Sequence, residues 1–338
     1  MKPHSGPGEH ERSLPMEFSC AVLLIAGLCC LVGSGHAWAE WAVVVPEAYE
    51  KDEAVKVVLE DLCEAGDSLG IGFKIVSELD QVDGDAIVVG GPDCNAIARR
   101  MRDEGALKIE GVAHPEGYEI ATLSGQGHKV IVVAGGSVLG EVYGLYWLWD
   151  RMRVSGTIPD IQVKREPELG IRFTRTSVAS QEDIRKALRY GLNLVFGENP
   201  LRLVPWNAEP EGAENAASRE KTRELASYAH ALHIKYVAFG TEFTYHPSLL
   251  EEFGATLNPA DPKFWEAVQA KFRRLLQAMP ELDGVCTFTA DEQSYWGNYK
   301  TFDVLHDGEG CDWSLAKRHR MYIVKVWEVV VGEFDKLL

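Results

Sequence analysis

The sequence predicts an α/β protein: a small α/β unit followed by the first four βα units of a TIM (β/α)8 barrel, which stops short of closure. Three observations carry this. Strand-type and helix-type segments alternate four times between residues 168 and 338, which implies parallel strands joined by right-handed crossovers. Polar and aromatic residues collect directly after each of those strands, where barrel enzymes keep their chemistry. Residues 41–152 carry a shorter mixture of buried-type strands and amphipathic helices.

The bulk properties agree. The chain has 338 residues, 46% of them apolar and 25% charged, enough for a well-packed core. A formal charge of -17 with no Lys/Arg cluster argues against nucleic acid as a partner.

At the N-terminus, Lys2 and Arg12 precede the apolar stretch Ala21 to Val32, and Ala37-Trp38-Ala39 has a small-x-small cleavage pattern. Residues 1–39 therefore read as a signal peptide for export to the periplasm or the outside of the cell. An apolar run of about a dozen residues is short of the roughly 20 needed to span a bilayer, so no stable membrane anchor is expected. Removal of the signal leaves Cys63, Cys94, Cys286 and Cys311, with no C-x-x-C pair and no histidines at zinc spacing. Buried free thiols are the expectation, and no metal or cofactor is called for.

Residues 40–155 form the first predicted domain. Its elements are strand Trp41 to Val45, helix Ala48 to Ala65, strands Gly72 to Ser77 and Ala86 to Val89, and a helix over Asn95 to Met101. Strands Tyr118 to Leu123 and Lys129 to Ala134 and the helix Val138 to Met152 complete it. The pairs Gly90-Gly91 and Gly135-Gly136 match no phosphate-loop pattern and read as turns. A hinge with Pro159 and Pro167 spans Gly156 to Pro167. The barrel part, residues 168–338, has predicted strands Ile171 to Thr176, Leu192 to Phe196, Ile234 to Phe239 and Gly284 to Thr289. Its helices are Glu182 to Tyr190, Ser218 to Leu232, Pro262 to Met279 and Leu315 to Leu338.

Asp291-Glu292 follows the apolar run Val285 to Ala290 and precedes the aromatic loop Tyr295-Trp296-Gly297-Asn298-Tyr299. A glycosidic bond needs a carboxylic acid to protonate the leaving oxygen, and sugar rings pack on aromatic faces. Side chains alternate along a strand, so the two adjacent carboxylates have different jobs. Glu198 and Glu242 are the internal candidates for a second carboxylate, or bind sugar hydroxyls. Asn199, Tyr245, His246, Tyr295 and Trp296 are further sugar-binding candidates. Arg172 and Arg175 differ in parity, so at most one reaches a barrel mouth, where its forked donors suit a sugar carboxylate; the alternative is an ion pair. Trp206 and Trp296 are candidate stacking platforms, whereas Trp147, Trp149, Trp265 and Trp327 read as core.

Glu116-Gly117-Tyr118-Glu119-Ile120, Val130-Ile131-Val132, Gly135-Gly136 and Gly140-Glu141-Val142-Tyr143-Gly144 resemble the N-terminal domain of α-glucuronidases and of β-N-acetylhexosaminidases, over roughly residues 41 to 300. The resemblance implies a catalytic (β/α)8 barrel after that domain and a carbohydrate substrate. The glucuronidase likeness implies that Glu292 is the general acid and that the base comes from later strands. The hexosaminidase likeness implies an Asp291-Glu292 pair in which Asp291 holds the substrate acetamido group and Glu292 is the acid. A third reading is an inactive fragment or carbohydrate-binding module, whose open barrel edges favour self-association.

Overall fold

The first strand is apolar on both sides because it lies inside a sheet covered on both faces. A computed structural model describes residues 39–77, 84–125, 127–241, 244–288, 300–301 and 311–334. Strand β1 (Ala39–Val44) carries Trp41 to Val44, all buried. It sits between β2 (Ile71–Val76) and β3 (Ala86–Val89), and the six-stranded sheet continues through β5 (His128–Gly135), β4 (Tyr118–Gly125) and β6 (Gln162–Arg165) in the order β2-β1-β3-β5-β4-β6. β2, β1, β3 and β5 are parallel, while β4 runs antiparallel to both its neighbours.

Helix α1 (Glu53–Leu69) starts later than the apolar pattern suggested. Pro46 opens a 3-10 turn over Glu47–Tyr49, and Asp52 caps the helix by accepting from the Val55 N–H at 3.1 Å. Val55, Val58, Leu59 and Leu62 then form its buried stripe. Helix α3 (Val138–Ser155) packs beside α1 on the same face. It lies close on the sheet because Gly140 has no side chain: a Cβ there would stand 2.2 Å from the Gly117 carbonyl oxygen. Helix α2 (Ala96–Asp103) contributes Ala98 to the smaller core on the opposite face.

Strand β6 falls inside the expected hinge. Of its four residues only Val163 is apolar, which suits a sheet edge protected by charge but gives little strand signal.

The second half is built on a three-stranded parallel sheet of β7 (Leu194–Phe196), β8 (Lys235–Thr241) and β10 (Gly284–Phe288), in the order β10-β8-β7. Helix α4 (Gln181–Arg189), with a Ser180/Asp183 capping box, precedes β7, and α5 (Glu211–Ala231) joins β7 to β8. Helices α6 (Pro247–Phe253) and α7 (Pro262–Ala278) join β8 to β10, and α8 (Leu315–Phe334) follows. A short antiparallel pair, β9 (Thr244–Tyr245) with β11 (Lys300–Thr301), sits beyond the strand ends. Helix α5 begins at Glu211 rather than Ser218, and α6 was not predicted.

The expected strand Ile171 to Thr176 is not a strand. The segment runs beside β7 and is bonded at its two ends: Asn193 and Leu194 donate to the Arg172 carbonyl, and Val178 donates to the Phe196 carbonyl at 2.7 Å. The edge segment spends more residues between those anchors than β7 does. The surplus bulges out at Thr174, Arg175 and Thr176, all exposed, so no regular ladder forms.

One hydrophobic cluster runs from Trp41 through α1 and α3 to α4, β7, α5 and β8. Trp265 is buried, and Trp147 and Trp149 pack against the core, as expected. Trp327 is a correction: it is 66% exposed, because Val326 and Val329 turn inward on α8 and leave Trp327 on the outer face. Among the described residues Cys63, Cys94, Cys286 and Cys311 are free, and none is buried as expected: Cys94 is exposed and the other three are half-buried. No helix among the described residues is long and apolar enough to cross a membrane.

Candidate active site

The C-terminal ends of β7, β8 and β10 lie side by side. Phe196 pairs with Val237, and Phe239 with Cys286, so alternation puts Phe196, Phe239 and Cys286 on one face of the sheet. Phe239 stacks on Phe196 at 4.4 Å between ring centroids, and Phe173 lies 4.7 Å further along the row. The opposite face packs against helices: Thr287 Oγ1 lies 3.2 Å from the Tyr322 hydroxyl of α8.

Glu198 follows β7 at the parity of Phe196, and its backbone still pairs with β8, accepting from the Phe239 N–H at 3.3 Å. Its Oε1 accepts from the Asn199 N–H at 2.9 Å and its Oε2 lies 4.0 Å from Arg202 Nη1, with the side chain 34% exposed. It is the predicted carboxylate that the described residues set at the strand ends in contact with solvent. The Asn199 side chain accepts from the Leu201 N–H at 3.0 Å and turns the chain into the 3-10 segment Pro200–Arg202. Behind it, Gly197 is enforced by packing: a Cβ there would meet the buried Tyr236 ring at 2.1 Å.

The pairing of Phe288 with Thr241 leaves the chain at adjacent positions just before the segments carrying Glu242 and Asp291-Glu292. Pairing of β9 with β11 then joins the two loops again, Lys300 opposite Tyr245. Glu242, Asp291, Glu292, Tyr295 and Trp296 themselves lie outside the described residues.

His246 caps α6, its Nδ1 accepting from the Ser248 N–H at 3.2 Å, while its Nε2 lies 3.8 Å from Oε2 of the buried Glu211. Tyr245 is half-buried and packs against the core. Trp206, expected as a stacking platform, is a correction. It is 4% exposed, donates to the Leu201 carbonyl at 2.9 Å and has its ring 6.0 Å from His246, so it closes the core under the loop after β7. Asn215 supports the same loop, donating to the Leu201 and Val204 carbonyls at 2.7 and 2.8 Å. Glu211 and Asn215 were not foreseen, since single polar residues on a helix resemble any solvated face. Arg175 is exposed at the bulge, and Arg172 forms an ion pair with Glu116, the alternative its parity had left open.

Among the described residues no group of three or more His, Cys, Asp or Glu side chains could hold a metal ion.

Comparison with known proteins places the fold in a class. A GH138 enzyme targeting pectin rhamnogalacturonan II has a similar structure, with a TM-score of 0.54 and 15% identity over 87% of this chain and 42% of that enzyme. The fold is thus shared with a glycoside hydrolase, and the chain spans 42% of that protein's length. The structure of CpGH84D aligns with a TM-score of 0.42 at 16% identity, over 71% of this chain and 39% of its own. Residues 70–140, from β2 to the first turn of α3, match the S-layer like family, outer domain. No curated protein matches the sequence.

Proposed function

We propose that the protein is an exported glycoside hydrolase of α-glucuronidase-like type, acting on polysaccharide side chains with Glu292 as general acid. One observation carries this reading. In a fold shared with a glycoside hydrolase, Glu198 and the chain leading to Glu242 and Asp291-Glu292 leave the same end of three adjacent parallel strands. The strand order β10-β8-β7 sets the end of β7 two strand spacings from that of β10, about 10 Å. Glu198 and Glu242 are the candidates within this sequence for the second carboxylate that hydrolysis needs, the alternative being a base supplied by later strands.

Incubation of the full chain with a glucuronoxylan and, in parallel, with an oligosaccharide ending in N-acetylhexosamine, with released sugars identified by chromatography, tests the reading. Release of uronic acid, abolished by Glu292→Gln, is expected. Release of N-acetylhexosamine with no uronic acid overturns it in favour of the hexosaminidase-like reading, which in turn requires Asp291→Ala to be inactive.

The match of residues 70–140 favours a second reading, a protein of an S-layer-like cell surface. Fractionation that finds the protein with the envelope, and no hydrolysis of any glycan, supports that reading over the first.

A further inference from the structure

A cleft of ≈ 450 Å³, remote from the strand ends, opens between the β4–β6 edge of the first sheet, α3 and the end of α4. Its volume lies in the range of roughly 300–1,000 Å³ found for small-molecule sites. Its walls are aromatic. Tyr143 and Tyr146 form the buried floor, Tyr118 and Trp147 are half-buried, and Tyr190, just past the last turn of α4, is 76% exposed. Its ring is open to a ligand in the cleft, and an aromatic face of this kind can serve as a stacking platform.

The charges sort by partner. Arg172 is taken by Glu116, and Arg189 by Asp61 at 2.9 Å. Arg165, at the rim, has no carboxylate within ion-pair distance among the described residues. Asp150 and Glu166 also line the cleft: Asp150 lies 3.8 Å from Arg151, whose guanidinium stands 5.1 Å over the Trp147 ring, and Glu166 Oε1 accepts from the Ala113 N–H at 2.9 Å. One corner of the aromatic cleft therefore holds a guanidinium, that of Arg165, with no ion-pair partner among the described residues.

We propose that this cleft binds an acidic saccharide, with a sugar carboxylate on Arg165 and the apolar face of a ring on Tyr190. The fork of an arginine matches a carboxylate with two parallel hydrogen bonds, and aromatic rings take the C–H face of a pyranose. The site is separate from the one proposed for hydrolysis and does not depend on it.

The test is calorimetric titration of the full chain with three probes: a galacturonic acid tetrasaccharide, its carboxyl-reduced counterpart and an oligoglutamate peptide. Binding of the acidic tetrasaccharide is expected, weakened about tenfold by reduction of its carboxylates and about tenfold by Arg165→Ala or Tyr190→Ala, with Tm unchanged. A Glu292→Gln protein is expected to keep this Arg165-dependent binding. Absence of binding, equal or tighter binding of oligoglutamate, or binding that survives both cleft substitutions overturns the proposal. So does binding lost in Glu292→Gln but unchanged in Arg165→Ala, which assigns the saccharide to the strand ends. Failure of hydrolysis with the Arg165-dependent binding intact removes the enzymatic reading and leaves the cleft in place.

Discussion

Arg189 of α4 clasps Asp61 of α1, donating from one Nη to both carboxylate oxygens at 2.9 and 3.0 Å. Asp61 is 4% exposed and also accepts from the Tyr146 hydroxyl at 2.8 Å, so three helices meet on one carboxylate. Removing it leaves Arg189 without its counter-charge in a half-buried site. Asp61→Ala is therefore expected to cost about 3–5 kcal/mol in urea denaturation, and Tyr146→Phe about 1 kcal/mol. Equal stability of Asp61→Ala and wild type would show that the clasp contributes nothing.

Glu141 should make stability pH-dependent. Burial at the start of α3 pushes its carboxyl from 4.5 up to about 7, against hydrogen bonds from Tyr49, Cys94 and backbone amides that favour ionisation. The folded-state value is the higher one, so the stabilisation is complete below pH 4.5, declines as pH rises to about 7 and is gone above that. The expected loss is roughly 3 kcal/mol. His233, raised by its hydrogen bond to Asp52, acts in the same direction as pH climbs through its folded value. Denaturation at about pH 5 and about pH 8 should show the fall in wild type and a much smaller one in Glu141→Gln.

The same carboxyl governs Cys94, whose Sγ lies 3.4 Å from Glu141 Oε1. Burial, then the nearby Glu141 charge, holds the thiol above its ordinary 9.0. Although exposed, Cys94 should alkylate slowly with iodoacetamide at about pH 8, because the thiolate is the reactive form. Glu141→Gln should speed the reaction, as followed by peptide mass spectrometry. An unchanged rate argues that access rather than charge controls this thiol.

Gly197→Ala tests the support under Glu198. Its new methyl would meet the buried Tyr236 ring at 2.1–2.3 Å, so either the ring or the end of β7 must move. A loss of roughly 1–3 kcal/mol is expected. Pairing with Tyr236→Phe should leave the loss in place, because the clash is with the ring carbons as well as the hydroxyl.

Much of the framework was legible because it rests on local periodicity. The runs Ala86 to Val89 and Leu194 to Phe196 are apolar enough to be strands only inside a covered sheet, and Asp52, Ser180 and Asp261 cap their helices through their own side chains. β6 and α6 escaped notice because a charged edge strand and a seven-residue helix carry too few periodic positions. Ile171 to Thr176 misled because its composition suits a strand, whereas the spacing of its anchors on β7 decides whether a ladder can form. At the candidate site, Glu198 and Asn199 were legible from their place after an apolar run. Glu211 and Asn215 were not, since their burial is created by Trp206 and the loop after β7.

By itself the sequence determined the alternation of strands and helices, the acidic surface and the clustering of polar residues after the strands of the second sheet, because each depends on neighbours within a few residues. Only the tertiary structure decided that Arg172 pairs with Glu116, that Trp206 is core while Trp327 is surface, and that Tyr118, Trp147, Tyr190 and Arg165 line one cleft. Those outcomes turn on residues tens of positions apart meeting in space, and on the removal of water from some of them and not others.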